Sequence, residues 1–318
     1  MLNSFPHRLN ADQASLAPER RWDDLVQPTQ EETALVRTRL NVVVPTRDAL
    51  EEIESSSRLR VEGDTLYMSA PLLSGTKTDR WKMAPTGFIL SPGFLVTIRD
   101  AQLDAFDAIG DEMAGKDAID PANVLVRLLE EAVDRAADYL ELCSKMVSDA
   151  SQAVFFDDRQ SKRLSSDTAT LRTTMRCVGQ AADRASRVRY MFLAIDRMAA
   201  FVTDRCQPEM ANDLELRLEA VRHDIASLDE FETALSGRIQ LLQDAAAGFI
   251  SIAQNDVVKL LTIVSIVGVP PVLVVGIYGM NFRHMPELDW YYGYPFALAL
   301  CVASAILPLL WFKWRGWL

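Results

Sequence analysis

Three histidines, four cysteines and an excess of acids are the first places to look for chemistry in this 318-residue chain. His7, His223 and His284 lie far apart and fall in no ligand or triad spacing, so hydrolytic chemistry has no residues to stand on. His223 reads as an ordinary surface or packing residue. Cys143, Cys177, Cys206 and Cys301 form no CxxC pair, which leaves reduced thiols rather than a zinc site or a disulfide framework. Neither a P-loop nor a dinucleotide fingerprint is present, and the chain is expected not to be an enzyme. A different pattern carries more. Counted along a single helix, Asp244, Gly248, Ser251, Asn255, Val258, Leu261, Ser265, Val269, Val272 and Gly276 fall on one face. That face is small, polar or mildly apolar, and it enters an apolar run at Asn255. Several such helices around an axis would enclose a path. Ahead of Asn255 the same face reads equally well as a stalk surface that meets solvent.

The elements needed to position that face are legible. Leu260–Ile277 and Tyr294–Phe312 are uncharged runs of 18 and 19 residues, each long enough to cross a hydrocarbon core of about 30 Å as a helix. Tyr278, Trp290, Tyr291, Tyr292, Tyr294, Trp311, Trp314 and Trp317 flank them as aromatic belts. Lys259 precedes the first run, and Lys313 and Arg315 follow the second. The rule that positive ends stay inside places both termini in the cytoplasm and the short loop outside. The N-terminus lacks the apolar core of a secretory signal, in keeping with a cytoplasmic bulk. Pro270 and Pro271 fall in the middle of the first run, where they remove two backbone donors and predict a bend.

Upstream, no proline interrupts Glu209–Val269. Leu214, Val221, Leu228, Leu235, Leu242 and Phe249 recur every seven residues, as do Leu218, Ile225, Ile239, Ala246 and Ala253, with Glu232 the one exception. This stripe predicts a rod of about 90 Å that runs from cytoplasm into the bilayer. Val124–Val147 and roughly Ser161–Cys206 are amphipathic helices expected to pack on the stripe. The first 120 residues read differently. Thr29 and Glu32 form a capping box. Arg58–Glu62 and Thr65–Ser69 flank Gly63-Asp64 as a hairpin, and Gly87–Leu90 with Phe94–Ile98 form a second. Residues 1–20 are expected to be loosely ordered. The domain reading is therefore 1–120 as an N-terminal α/β domain, 121–256 as cytoplasmic helices with the stalk, and 257–318 as a transmembrane domain. Within the last, the spans are about 258–278 and 294–312, with an outer loop at 279–293.

Charge divides along the same boundary. Positions 1–256 hold 29 basic and 42 acidic residues, a net charge of −13, whereas the rest is mildly basic. Nucleic acid is excluded as a partner, since binding its phosphates needs a basic footprint. The acids either attract cations or simply solvate the surface.

At the end of the first apolar run the chain reads Tyr278-Gly279-Met280-Asn281-Phe282, and after Arg283-His284 it continues Met285-Pro286-Glu287-Leu288. These segments resemble the YGMNF and MPEL motifs of the CorA family of magnesium and cobalt transporters, in the same position between two C-terminal spans. The tail Phe312–Leu318, the segment Glu52–Leu59 and the strand Phe94–Arg99 are similar to that family too, so the resemblance extends from about Trp22 to the end.

The resemblance implies an α+β cytoplasmic domain with a long helical stalk and two C-terminal transmembrane helices, assembled as a funnel-shaped homopentamer in the cell inner membrane. It implies a channel-type transporter for divalent cations: magnesium influx, with cobalt and nickel as further cargo, and feedback from intracellular magnesium. No cofactor is implied beyond magnesium itself. Gly279, Met280 and Asn281 correspond to the selectivity filter, and Asn255, Val258, Leu261, Val269, Val272 and Gly276 to the pore lining and gate. Those six lie on the face derived above. Valine stands at 258 and 269 where family members often have methionine. A ring of Asn281 oxygens would accept hydrogen bonds from the waters of a magnesium ion that dehydrates reluctantly, an outer-sphere contact. Glu287 and Asp289 either concentrate cations outside the mouth or keep the loop soluble. Asn255 is either a polar site at the inner end or a helix-boundary amide. Two rivals remain: a related zinc transporter bearing the same Gly-Met-Asn motif, and a membrane-anchored helical scaffold or sensor. The MPEL-type segment argues against the first, and the paired prolines and small polar face against the second.

Overall fold

The computed structural model describes residues 1–5, 20–52, 58–75, 81–116, 118–155, 168–206, 212–281, 285–286 and 290–317, with only the backbone of 168–171. The chain divides into two compact units, Met1–Ala153 with Thr173–Leu242, and Val154–Arg172 with Gln243–Leu318.

The first unit is built on a six-stranded sheet in the order β1-β2-β6-β5-β4-β3. Its strands are β1 (Leu2–Phe5), β2 (Arg21–Val26), β3 (Leu59–Glu62), β4 (Thr65–Ser74), β5 (Lys82–Ser91) and β6 (Phe94–Arg99). Only β2 and β6 run parallel; the other neighbours are antiparallel. Strands β4, β5 and β6 read as long apolar runs because both sheet faces are covered. On one face Leu25, Tyr67, Ile89, Val96 and Ile98 pack with Val36 and Leu50 of helices α1 (Gln30–Leu40) and α2 (Arg47–Glu51). On the other, Phe106 of α3 (Asp104–Ala114) lies against Trp22 and Phe88, and Tyr139 of α4 (Pro121–Phe155) against Trp81.

Local signals held where they were short-range. Thr29 caps α1 and Glu32 returns the bond, a complete capping box. Gly63 sits at φ 61° in the β3–β4 turn, a conformation that favours glycine. Leu2–Phe5, expected to be loose, is instead an edge strand. Phe5 stacks on Trp22 at 4.9 Å, and β1 pairs with β2 from Leu2↔Leu25 to Phe5↔Trp22, so apolar burial holds it.

The β2–β6 pair encloses a buried charge. Arg99 Nη2 lies 2.9 Å from Asp24 Oδ2 and 2.9 Å from Asp107 Oδ1. Thr97 donates to Asp24 at 2.7 Å and accepts from Trp22 Nε1 at 3.0 Å. The side chains of Asp24 and Arg99 are each only 3% exposed, so each needs the other. Asp23, one residue before, is fully buried on the opposite face. Burial pushes its carboxyl above the usual range, although the Ser4 hydroxyl and the Arg21 charge pull the other way.

Among the described residues the remaining helices are α5 (Thr168–Cys206), α6 (Asn212–Tyr278) and α7 (Gly293–Trp314). Within the first unit, α6 buries Leu214, Leu218, Val221, Ile225, Leu235, Ile239 and Leu242, the expected heptad stripe. Charged clasps fasten it to its neighbours. Arg217 reaches Glu130 of α4 at 2.7 Å, Arg222 reaches Asp196 of α5 at 2.9 Å, and Asp229 and Glu232 share Arg189 of α5 at 2.9 and 3.1 Å. The exception in the stripe is thereby explained. Glu232 is buried because it has a guanidinium and the Ser236 hydroxyl, at 2.8 Å, to satisfy it.

Replacing Arg99 with Met strands the Asp24 carboxylate, and a loss of about 3–5 kcal/mol is expected in denaturant unfolding of the purified protein. Asp23→Asn should act oppositely and with pH. A carboxyl whose folded value is raised contributes fully below its unfolded value, and that stability is lost as pH rises through the folded one. The Asn variant should therefore melt above the parent at neutral pH, with the gap closing on acidification. Parallel melting curves at every pH would contradict the assignment.

Candidate functional site

The second unit holds the face singled out in the sequence. Helix α6 runs without interruption through Pro270 and Pro271 to Tyr278. Among the described residues, its membrane half and α7 are the two helices long and apolar enough to cross a membrane, with mean hydropathies of 2.5 and 2.1. Along the apolar half of α6, Ile263, Val267, Pro270, Pro271, Val274 and Tyr278 are less exposed and recur on one side of the helix; Thr262, on the other side, is also half-buried. Along α7, Gly293, Ala297, Cys301, Ser304, Ala305, Pro308 and Phe312 are less exposed and again share one side, with Ala303 half-buried on the other. The two stripes meet: the Cys301 thiol donates to the Pro271 carbonyl at 3.5 Å. Small residues at four-residue spacing on α7 let the backbones approach, a signal present in the sequence that was not used.

The opposite side of α6 carries Asn255, Val258, Leu261, Val269, Val272 and Gly276, and all six are exposed in the single chain. Val272 is 71% exposed and Leu261 65%, the values of side chains with no partner in this chain. Ser265, on the same side, donates to the Leu261 carbonyl at 2.8 Å, and Thr262 does so to Val258 at 2.8 Å. These hydroxyls are spent on their own helix, so the face is less polar than its composition suggests. At its lower end Lys259 pairs with Asp256 at 3.4 Å, both largely exposed.

Helix α6 ends just before the motif. Gly279 N–H donates to the Val275 carbonyl at 2.9 Å, and Met280 N–H to Ile277 at 3.2 Å, which tightens the last turn. A Cβ on Gly279 would lie 3.1 Å from the Val275 carbonyl oxygen, closer than a side chain normally sits, so the tight exit favours glycine. Met280 is 47% exposed and Asn281 is exposed. The carboxyl end of a helix carries partial negative charge, which favours a cation at this position. Phe282, Arg283, His284, Glu287, Leu288 and Asp289 lie outside the described residues, including both acids assigned to the outer mouth. Trp290, Tyr291, Tyr292 and Tyr294 are exposed at the start of α7 as an aromatic belt. No cluster of three or more His, Cys, Asp or Glu residues able to hold a metal occurs among the described residues.

The family model described as CorA-like Mg2+ transporter protein matches residues 19–314. The chain belongs to this family. Among its relatives is a magnesium transport protein CorA of Mannheimia succiniciproducens, 32% identical over an alignment spanning all of both chains. One of the same description from Pasteurella multocida is 33% identical over 93% of this chain and 92% of that one. The solved CorA magnesium transporter of Methanocaldococcus jannaschii covers 100% of this chain and 99% of its own, with a TM-score of 0.75 at 17% identity. The full-length CmaX protein gives 0.69, also at 17%. At such identity the likeness is one of fold: a soluble α/β domain, a long helix and two C-terminal apolar helices, the architecture of CorA proteins.

The packing of α6 predicts a labelling pattern. In membranes carrying a version without its native cysteines, single cysteines at 263, 267 and 274 should resist a water-soluble maleimide because α7 covers them. Cysteines at 258, 269 and 272 should react if water reaches the opposite side. Equal reactivity at all six positions would refute the two-sided arrangement.

Proposed function

We propose that this chain is the subunit of a homo-oligomeric magnesium channel in the inner membrane, five copies placing their α6 helices around one axis and the α7 helices outside. The observation that carries the reading is the two-sidedness of α6. One side is taken by α7, while the other, unoccupied in the single chain, leads directly to Gly279-Met280-Asn281. Two membrane helices enclose no water-filled path, so a pore needs several copies about an axis. That the relatives are described as magnesium transport proteins supports the choice of ion.

The mechanism follows from the ion. Magnesium holds its water shell tightly at about 2.0–2.1 Å, so a mouth that stripped it would be slow. Asn281 amide oxygens accept hydrogen bonds from the bound waters, and the carboxyl ends of the α6 helices lower the potential there. Neutral oxygens hold the ion weakly enough to release it. Beyond the mouth Gly276, Val272, Val269, Leu261 and Val258 form an apolar lining that closes by dewetting, with Asn255 as a polar exit. Glu287 and Asp289 raise the cation concentration outside. An inward-negative potential supplies about 2.3 kcal/mol per charge per 100 mV, doubled for a divalent ion, so influx needs no nucleotide. Cobalt and nickel, with similar hydrated shells, are further cargo, and magnesium bound by acids of the soluble domains closes the pore when the ion is abundant.

The test is uptake into vesicles holding the purified protein, compared with Asn281→Ala. Magnesium flux is expected to fall by about tenfold or more, as for lost hydrogen bonds around a charge, while the oligomer stays intact by size exclusion. Unchanged flux would remove Asn281 from the mouth. Zinc flux without magnesium flux would move the chain to the zinc-transporting rival.

A further inference from the structure

The last turn of α7 is not a frayed end. Trp317 N–H donates to the Phe312 carbonyl at 3.0 Å and Gly316 N–H to Lys313 at 3.2 Å, around a left-handed Gly316 at φ 73°. That pair of bonds is the Schellman cap, which is accompanied by an apolar contact between its two end residues. Here Trp317 stacks on Phe312, ring centroids 5.5 Å apart and planes 26° apart, and Phe312 is 1% exposed. The cap fixes the geometry of the turn it closes. Within it Arg315 lies over the ring of Trp311, its guanidinium carbon 5.5 Å from the centroid. Trp311, Trp314 and Arg315 share one side of the helix at spacings of three and four residues. Lys313 leaves the same turn on another side.

Both cations are exposed, and among the described residues neither has a carboxylate within 4.0 Å; the ion pair of this unit joins Lys259 and Asp256. Trp314 is 82% exposed beside them. A guanidinium laid on an indole, with no carboxylate partner among the described residues, next to a second indole and at the end of a 22-residue apolar helix, has a defined complement. The aromatic rings suit the headgroup level of a bilayer, and the planar fork of Arg suits the two free oxygens of a phosphodiester. A zwitterionic lipid brings its own cation to that phosphate. An anionic one with a glycerol headgroup does not.

We propose that Arg315, set by the Gly316 cap and backed by Trp311 and Trp314, is a binding site for the phosphodiester of an anionic glycerophospholipid, with Lys313 adding to the local positive field. The inference rests on the membrane reading of α7, but not on the identity of the transported ion.

The test is lipid retention, which is read independently of flux. The full-length protein is taken up in mixed micelles of phosphatidylcholine and phosphatidylglycerol, passed over a sizing column, and its bound lipids counted. Phosphatidylglycerol is expected to be retained over phosphatidylcholine, and Arg315→Gln to lower its retention by about fivefold, the loss of one cation at an anionic surface. Arg315→Lys should recover only part of it, because an ammonium neither stacks nor forks. Gly316→Val, which keeps both charges but disturbs the cap, should lower retention as well. Inorganic phosphate at millimolar concentration should not displace the lipid. Equal retention by the parent and Arg315→Gln, or full displacement by inorganic phosphate, would overturn the proposal. Loss of transport in Asn281→Ala with lipid retention unchanged would separate the two sites.

Discussion

The structure depends on one helix that must meet two environments with two different sides. Over its soluble half α6 buries a heptad stripe against α4 and α5, where apolar burial drives packing at about 25 cal/mol per Å². In the apolar half that driving force is gone, since lipid is as apolar as leucine, and close backbone approach replaces it. The side chains change accordingly: Leu, Ile and Val on the stripe up to Leu242, then Pro270, Pro271 and Val274 opposite the small residues of α7. What α6 leaves bare is fixed by what it covers.

The soluble unit solves a separate problem. Its sheet is covered on both faces, so polar groups trapped within it need internal partners. The row Trp22–Thr97–Asp24–Arg99–Asp107 supplies them for Trp22, Asp24 and Arg99, each hydroxyl or guanidinium serving two neighbours. It also ties β2 to β6, the one parallel pair, across more than seventy residues of chain. Helix α3 is attached by the same means, since its Asp107 closes the row and its start has no side-chain cap.

Legibility in the sequence followed the range of the interactions. The Thr29–Glu32 box, the Gly63-Asp64 turn and the heptads of α6 depend on residues a few positions apart, and all were readable. So was the side of α6 that carries Asn255 to Gly276, because it follows from helical spacing alone. Strands β1 and β2 were not, as Leu2–Phe5 becomes a strand only through its pairing with β2, and β2 by lying between β1 and β6. The burial of Asp24 and Glu232 was invisible for the same reason: their partners, Arg99 and Arg189, are remote in sequence. The meaning of Gly279-Met280-Asn281 came from resemblance. What the structure adds is the tight exit that favours glycine at the first of the three.

Glu232 has a mechanical consequence. In a uniform heptad stripe, a slide of seven residues swaps like for like and costs little. Here such a slide would carry a carboxylate into the place of Ile225 or Ile239, away from Arg189, and leave the guanidinium facing a hydrocarbon. The stripe thus has a single tooth and a single notch. Helix α6 therefore cannot ratchet along α5 without breaking that pair.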